Sequence, residues 1–125
     1  MVGLLDTSAF VAVEQERLVG RLPDQVAVPV VALAELRLGV LLAKTDEARI
    51  MRLSTLEFAR TLSPVPIDTR VGEVWAELSA RLKGVGKKMP VNDSWIAAIA
   101  IANEMAVVTQ DQDYDDVPGL AVVKI

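Results

Sequence analysis

The sequence has 125 residues, of which 52% are hydrophobic and 4% aromatic, and its formal net charge is −4. It contains no histidine and no cysteine, which excludes an imidazole base, a thiolate nucleophile, a disulfide framework and a zinc–thiolate site. Catalysis would therefore depend on carboxylates, hydroxyls, basic side chains or a metal ion held by oxygen, and oxygen ligands favour Mg²⁺, Mn²⁺ or Ca²⁺.

Two short strands and three helices are predicted in the first half of the chain. Short apolar runs indicate the strands, and longer runs indicate the helices. Pro29 stops the second strand, and Thr45 is placed to cap the third helix. In chain order these elements are strand 2–5, a short helix after Asp6, strand 26–28, helix 30–43 and helix 45–62.

The second half continues this alternation. Asp68 is placed to cap the helix with the clearest 3.6-residue apolar stripe. The apolar positions of that stripe are Val71, Val74, Trp75, Leu78 and Leu82. The other elements are an edge strand over 65–67, a loop over 84–91, a helix that 92–94 open and that runs to about 103, strand 106–108, a polar loop over 109–119 and strand 121–123.

Strands that are apolar throughout and separated by helices predict a parallel sheet covered on both faces. The expected fold class is α/β, a three-layer α/β/α sandwich with a five-stranded parallel sheet, in a single domain over 1–125. No stretch has the flanking charge of a signal peptide or the uninterrupted apolar length of a transmembrane helix. We therefore expect a cytoplasmic location and no membrane contact.

Four acids lie where a parallel sheet gathers its ligands, beyond the carboxyl ends of the strands. Asp6 directly follows the first strand, and Asp111 lies just past the fourth. Glu35 is in the helix after the second strand, and Asp93 opens the helix that leads to the fourth. Carboxylates that converge raise one another's pKa, and a divalent cation resolves this conflict. The order of elements therefore allows a site for Mg²⁺ or Mn²⁺ formed by these acids.

Each acid also has a purely structural interpretation. Asp6 and Asp93 stand where helix caps are common, and Asp111 belongs to an acid-rich loop of a kind that is usually solvated. Glu35 is the most informative of the four, because its neighbours on the helix are apolar. A buried carboxylate without a partner must either become neutral or find a cation.

The net charge of −4 argues against a nucleic-acid ligand held by bulk charge. A bound cation would answer part of this objection, since it turns the acids into an electropositive centre. Arg81, Lys83, Lys87 and Lys88 flank the loop before Asp93. They are candidate contacts to an RNA phosphate backbone, and a solvated basic loop explains them equally well.

Four segments of the chain resemble, in order, the PIN-domain toxins of prokaryotic toxin–antitoxin pairs, the VapC type. The segments are Leu5–Ser8, Ala34–Gly39, Pro90–Ala98 and Thr109–Tyr114. They are similar to the family's opening Asp-x-Ser, its Glu-bearing helix, the segment around its third acid and its Thr-x-Asp-x-Asp-Phe signature, with Tyr114 in place of the commoner Phe. Each segment alone is a weak signal, whereas four in order at compatible spacings are a strong one.

The resemblance implies a strand order of 3-2-1-4-5, a homodimer and a VapB-like antitoxin bound near the active site. It also implies a type II toxin that cleaves structured RNA, tRNA or ribosomal RNA, with water activated by Mg²⁺ or Mn²⁺. Ser8 and Thr109 would form hydrogen bonds within the site, and Asp113 would be an auxiliary acid. The implied catalytic and metal-binding residues are Asp6, Glu35, Asp93 and Asp111.

Other interpretations stay open. A non-catalytic module that binds RNA or protein on a nuclease-like fold would need no converging acids. A receiver-like or phosphatase-like domain usually carries paired acids after its first strand, whereas Asp6 is followed by Thr7 and Ser8. A dinucleotide-binding domain has less support, because no Gly-x-Gly-x-x-Gly follows that strand.

Overall fold

Five short parallel strands form the sheet of the computed structural model, which describes all residues from Met1 to Ile125. The strands are β1 (Gly3–Leu5), β2 (Val26–Pro29), β3 (Pro64–Val65), β4 (Ala106–Thr109) and β5 (Ala121–Lys124). Their order across the sheet is β3-β2-β1-β4-β5, and all neighbours are parallel. This confirms the predicted sheet and the 3-2-1-4-5 order, which places β1 and β4 side by side.

Five α-helices and a short 3₁₀ turn connect the strands. They are α1 (Thr7–Glu14), α2 (Val30–Leu41), α3 (Asp46–Thr61), α4 (Thr69–Gly84), α5 (Val91–Ala102) and the 3₁₀ turn Gln112–Tyr114. Asp68 caps α4 by accepting a hydrogen bond from the N–H of Val71 at 2.9 Å, as predicted. None of the helices combines the length and the hydropathy that a membrane-spanning helix needs.

The side chains of the central strands alternate between two hydrophobic clusters. Leu4 and Val107 belong to the cluster that α4 and α5 cover, whereas Leu5 and Val108 belong to the cluster that α1, α2 and α3 cover. Successive side chains of a strand point to opposite faces of its sheet. The alternation therefore explains why both faces carry helices, and it confirms the predicted three-layer α/β/α architecture.

Two helices, α2 and α5, each begin directly after a proline. Pro29 ends β2 and directly precedes α2, and Pro90 directly precedes α5, in both cases without a side-chain cap. The alternative interpretation of Asp93 as a helix cap is therefore wrong, and the helix begins before the segment 92–94 that was expected to open it. Because the pyrrolidine ring fixes φ near the required value, the chain enters α5 already at Val91. Asp93 lies in the first turn of α5 and makes no capping hydrogen bond.

The helix α2 is apolar on most sides, yet only one side of it is buried. Leu36 and Val40 lie in the core, whereas Leu38 and Leu41 are 53% and 62% exposed. The helix ends at Leu41, two residues before its predicted end. The apolar composition of α2 therefore overstates how much of the helix is buried, and part of its apolar surface is exposed.

The edge strand β3 is shorter than predicted and begins one residue earlier. It pairs with β2 through Pro64 and Val65 rather than covering 65–67. Pro66 has no N–H with which to extend the ladder. Its position at the sheet edge, which the proline predicted, is confirmed.

Candidate active site

The carboxyl ends of β1 and β4 place an acid and a hydroxyl next to each other. Asp6 follows β1 and is only 3% exposed, and Thr109, the last residue of β4, is fully buried. The Thr109 hydroxyl donates a hydrogen bond to Oδ2 of Asp6 at 2.6 Å. The N–H of Ala9 donates to Oδ1 of Asp6 at 2.9 Å. Asp6 therefore caps α1 and also faces the end of β4, so the structural and functional interpretations are compatible.

Ser8 and Thr109 connect Asp6 to the backbone of the loop after β4. The Ser8 hydroxyl donates to Oδ1 of Asp6 at 2.8 Å and accepts from the N–H of Gln110 at 3.0 Å. The Thr109 hydroxyl accepts from the N–H of Asp111 at 2.8 Å while it donates to Asp6. Burial raises the pKa of Asp6, and the hydrogen bonds from Thr109 and Ser8 oppose that rise. The two hydroxyls thus fix the loop of Asp111 beside Asp6.

Three carboxylates converge on this edge of the sheet and form what we call the three-acid cluster. Carboxylate oxygens of Asp93, Asp111 and Asp113 lie within 4.8 Å of one another, and all three residues are half-buried. Burial and hydrogen bonding with Asp113 raise the pKa of Asp93 to about 7, and the negative charges of Asp111 and Asp113 contribute to this rise. The hydrogen bond from Tyr114 lowers the pKa of Asp93 and so opposes the rise. Asp113, expected only as an auxiliary acid, therefore belongs to the same cluster as Asp93 and Asp111. The 3₁₀ turn after Asp111 causes this placement.

Tyr114 is a site residue that the sequence marked only as a replacement for Phe. Its side chain is fully buried, and its hydroxyl donates to Oδ1 of Asp93 at 3.2 Å. Burial raises the pKa of Tyr114, and the negative charges of Asp6 and Asp93 raise it further. Tyr114 therefore stays protonated and acts as a hydrogen-bond donor to the cluster.

Glu35 lies at the margin of the site, outside the three-acid cluster. It is half-buried, and its Oε1 accepts a hydrogen bond from the Thr7 hydroxyl at 2.8 Å. Thr7 directly follows Asp6 in the chain. The two residues line a cavity of about 290 Å³ together with Arg52. Glu35 is thus neither fully solvated nor without a partner, and Thr7 is a contact that nothing in the sequence indicated.

The four basic residues predicted near Asp93 do not stay together in the fold. Lys83, Lys87 and Lys88 line a cavity of about 330 Å³. Arg81 does not line it, and its Nη1 lies instead 3.6 Å from the position that a Cβ would take at Gly119. Arg81 and Lys83 are two residues apart in α4, and side chains at that spacing do not share a face of a helix, which explains the separation.

Lys124 connects β5 to the acidic loop, a contact that sequence reasoning did not identify. Its ammonium group donates to the main-chain oxygen of Asp111 and forms an ion pair with Asp115 at 2.9 Å. The ion pair is solvent-exposed and adds little stability. The contact with the main-chain oxygen of Asp111 nevertheless places a positive charge on the loop that carries Asp111.

The donor set of the three-acid cluster fits a hard divalent cation. It offers only carboxylate oxygens, and these approach one another closely enough to raise a pKa. A cation would remove that repulsion. Asp6 does not belong to the cluster but lies near enough for the charge of Asp111 to raise its pKa.

Comparisons with known proteins show the family of this chain. A family model described as PIN domain matches residues 3–120. The chain belongs to the PIN-domain family. It is 43% identical over 125 residues to Ribonuclease VapC5 of Mycobacterium tuberculosis, covering 98% of this chain and 93% of that protein. It is 45% identical over 127 residues to Ribonuclease VapC4 of the same organism, covering 98% and 95%.

A solved structure of another protein has the same fold as this PIN domain. It is the crystal structure of VapBC-5 from Mycobacterium tuberculosis, described as a member of the VapBC family of toxin–antitoxin systems. The TM-score is 0.87 at 40% identity, and the match covers 99% of this chain and 98% of that one. The predicted family resemblance is therefore confirmed.

Proposed function

We propose that this chain is a metal-dependent endoribonuclease and the toxin of a type II toxin–antitoxin system. It hydrolyses phosphodiester bonds of structured RNA, tRNA or ribosomal RNA, in the cytoplasm with Mg²⁺ or Mn²⁺ as its cofactor. The observation that carries this proposal is the convergence of Asp93, Asp111 and Asp113 beside the buried carboxylate of Asp6. The names of the relatives, Ribonuclease VapC5 and Ribonuclease VapC4, support the reaction and the role.

Asp93, Asp111 and Asp113 would hold the cation. When bound, a divalent cation supplies Lewis acidity, which lowers the pKa of water and offsets charge on the phosphate. Because the chain has no histidine, an imidazole base is not available for this purpose. Tyr114 supports the cluster by donating a hydrogen bond to Asp93, so that one carboxylate oxygen keeps a fixed direction.

Asp6 and Glu35 are the remaining acids of the proposed site. Oxygens of Asp6 accept hydrogen bonds from three donors, so the direction of its carboxylate is fixed. Thr7 holds only Oε1 of Glu35, which leaves Oε2 available to water, substrate or cation. A fixed carboxylate loses little orientational freedom when the substrate binds, and such preorganisation favours catalysis.

A VapB-like antitoxin and a second copy of the chain are the proposed protein partners. An apolar groove of about 540 Å³ lies between α1 and α3 and contains Phe10, Ile50 and Phe58 among its lining residues. Ile50 is 69% exposed, and the exposed leucines of α2 add further apolar surface. Apolar patches of this kind favour protein interfaces. Similarity to VapBC-5, a member of a family of toxin–antitoxin systems, supports an antitoxin as one of these partners.

Cleavage of RNA by matched aspartate variants tests the proposal. Asp93→Asn should lower the rate of Mg²⁺-dependent cleavage of tRNA and ribosomal RNA by about 100-fold or more, since it removes a carboxylate from the cluster. Asp116→Asn is the control, because Asp116 is an exposed acid of the same loop and Asn tolerates its positive φ of 58°. It should cleave at the wild-type rate.

Sequencing of RNA 5′ ends after induced expression would identify the cut. We expect growth arrest and discrete cleavage with the wild type and with Asp116→Asn, and neither with Asp6→Asn or Asp93→Asn. Wild-type protein that binds RNA equally well with and without divalent cations and never cleaves it would contradict the proposal. That result would favour the non-catalytic binding module.

A further inference from the structure

A cavity of about 330 Å³ lies between the second half of α4 and the start of α5. Its volume is that of a small-ligand site. Val91 and Ser94 line it, and both belong to the first turn of α5, on either side of Asp93. The cavity, which we call the lysine cavity, is therefore lined by residues that flank Asp93, a member of the three-acid cluster, in the chain.

One wall of the lysine cavity is an indole ring held in a fixed position. The rings of Trp75 and Trp95 stack with centroids 4.4 Å apart and planes 7° apart. Nε1 of Trp75 donates to the Ser94 hydroxyl at 3.0 Å, and that hydroxyl donates to the main-chain oxygen of Val91 at 2.6 Å. Trp75 is nevertheless only partly buried and lines the cavity. A ligand that contacts it would not have to immobilise it.

The other walls carry positive charge that the protein does not neutralise. Lys83 and Lys88 are exposed and Lys87 is half-buried, and none of the three forms an ion pair. Three unpaired lysines around one cavity are notable in a chain with a net charge of −4. A ligand that complements these walls has a flat aromatic part and negative charge. Single-stranded nucleic acid combines the two in every nucleotide, and RNA is the form that the proposed nuclease function cleaves.

We propose that the lysine cavity binds an unpaired nucleotide of the RNA substrate next to the phosphate that is cleaved. The lysines contact the RNA backbone, and the base lies against Trp75. This inference rests on the proposed nuclease function of the three-acid cluster. Because a paired base is not free to leave its stack, the cavity directs cleavage to single-stranded loops of a structured RNA.

Binding of a short RNA without divalent cations tests the proposal separately from cleavage. The probe is fluorescein-labelled octauridylate in EDTA, and inorganic polyphosphate serves as a probe that has charge but no bases. Trp75→Leu should weaken the binding of octauridylate about tenfold and leave the binding of polyphosphate unchanged. Trp75→Phe keeps an aromatic ring and should retain most of the RNA affinity. Thermal melting of each variant confirms that it is folded.

The lysines give a second readout that does not depend on the fold of the tryptophan variant. Lys83→Gln and Lys88→Gln change exposed side chains. Each should reduce the slope of log K against log salt by about 0.7, the contribution of one phosphate contact with single-stranded nucleic acid. Lys44→Gln, an exposed lysine outside the cavity, should leave the slope unchanged.

The outcomes separate this proposal from the proposed function. Unchanged RNA affinity in Trp75→Leu, or unchanged salt slopes in the lysine variants, overturns the nucleotide site even if the wild type cleaves RNA. Unchanged RNA affinity with a weakened antitoxin complex would assign the cavity to the protein partner and also overturns it. Absence of metal-dependent cleavage in the wild type would instead refute the nuclease function.

Discussion

At the scale of single residues, the hydroxyls of Ser8 and Thr109 each form hydrogen bonds with two partners. Each donates to the carboxylate of Asp6 and accepts a backbone N–H from the loop that carries Asp111. Buried polar groups are costly when they lose a partner, and the cost is greater when the partner is a charged group. The hydroxyls therefore affect both the stability of the protein and the geometry of its acids.

Replacing Thr109 by Val keeps the shape of the side chain and removes its hydroxyl. Oδ2 of Asp6 and the N–H of Asp111 each lose a hydrogen bond, so we expect the free energy of unfolding to fall by about 2–3 kcal/mol. Urea unfolding measures the change. Thr109→Ser keeps the hydroxyl and serves as the control. A Val variant as stable as the wild type would show that the network contributes nothing to stability.

Asp93 makes the stability of the metal-free protein depend on pH. Its pKa rises from 3.8 to about 7 on folding, so between these values the folded protein binds more protons than the unfolded chain. The free energy of unfolding must then fall as the pH rises through this range. The contribution of Asp93 is fully present below about pH 4 and is lost as the pH rises past about 7.

Asp93→Asn removes this titration. In EDTA, the melting temperature of the wild type should decrease relative to that of Asp93→Asn between pH 4 and pH 8. We expect a relative change of about 1 kcal/mol, or about 4 °C, because partial solvent exposure screens the interaction. Addition of Mg²⁺ should reduce the difference, since a cation offsets the repulsion. If the melting temperatures of the two proteins change with pH in the same way across this range, the expected titration of Asp93 is contradicted.

At the scale of elements, Gly3 lets the central strand β1 approach its neighbours. A Cβ at Gly3 would lie 2.6 Å from Cγ2 of Val108 and 2.8 Å from Cγ of Pro23. Such distances are too short for ordinary contacts, and relief would require movement in a well-packed core. Gly72 is the opposite case, because a Cβ there would have no neighbour within 4 Å.

These two glycines predict opposite effects of the same substitution. Gly3→Ala should lower the free energy of unfolding by about 1–3 kcal/mol through overpacking. Gly72→Ala should raise it by up to about 1 kcal/mol, because alanine is the better residue within a helix such as α4. Urea unfolding of both variants provides the measurement. Equal effects of the two substitutions would refute the close approach at β1.

The elements also show where sequence reasoning succeeds. The helix α4 is predictable because its cap, Asp68, and its apolar stripe give independent signals. The start of α5 is not, because the ring of Pro90 replaces a side-chain cap. The position of Asp113 next to Asp93 is not predictable, since the spacing of two residues from Asp111 does not reveal the 3₁₀ turn that brings both carboxylates to Asp93.

At the scale of the whole molecule, the strand order determines the site. Asp6 and Asp111 are far apart in sequence, but β1 and β4 are neighbours and carry them to the same edge. General rules for parallel sheets predict this edge, whereas the order of strands comes from the family resemblance. The contacts of Glu35 with Thr7 and of Lys124 with Asp111 depend on side-chain packing between distant segments. No local pattern in the sequence encodes them.

Crystals of the protein grown with Mn²⁺ test the central claim most directly, through the anomalous scattering of the bound ion. We predict an anomalous peak among the carboxylates of Asp93, Asp111 and Asp113. The peak should disappear in crystals of Asp113→Asn and persist in crystals of Asp116→Asn. Mn²⁺ bound elsewhere on the chain, with no peak between the three carboxylates, would contradict the claim.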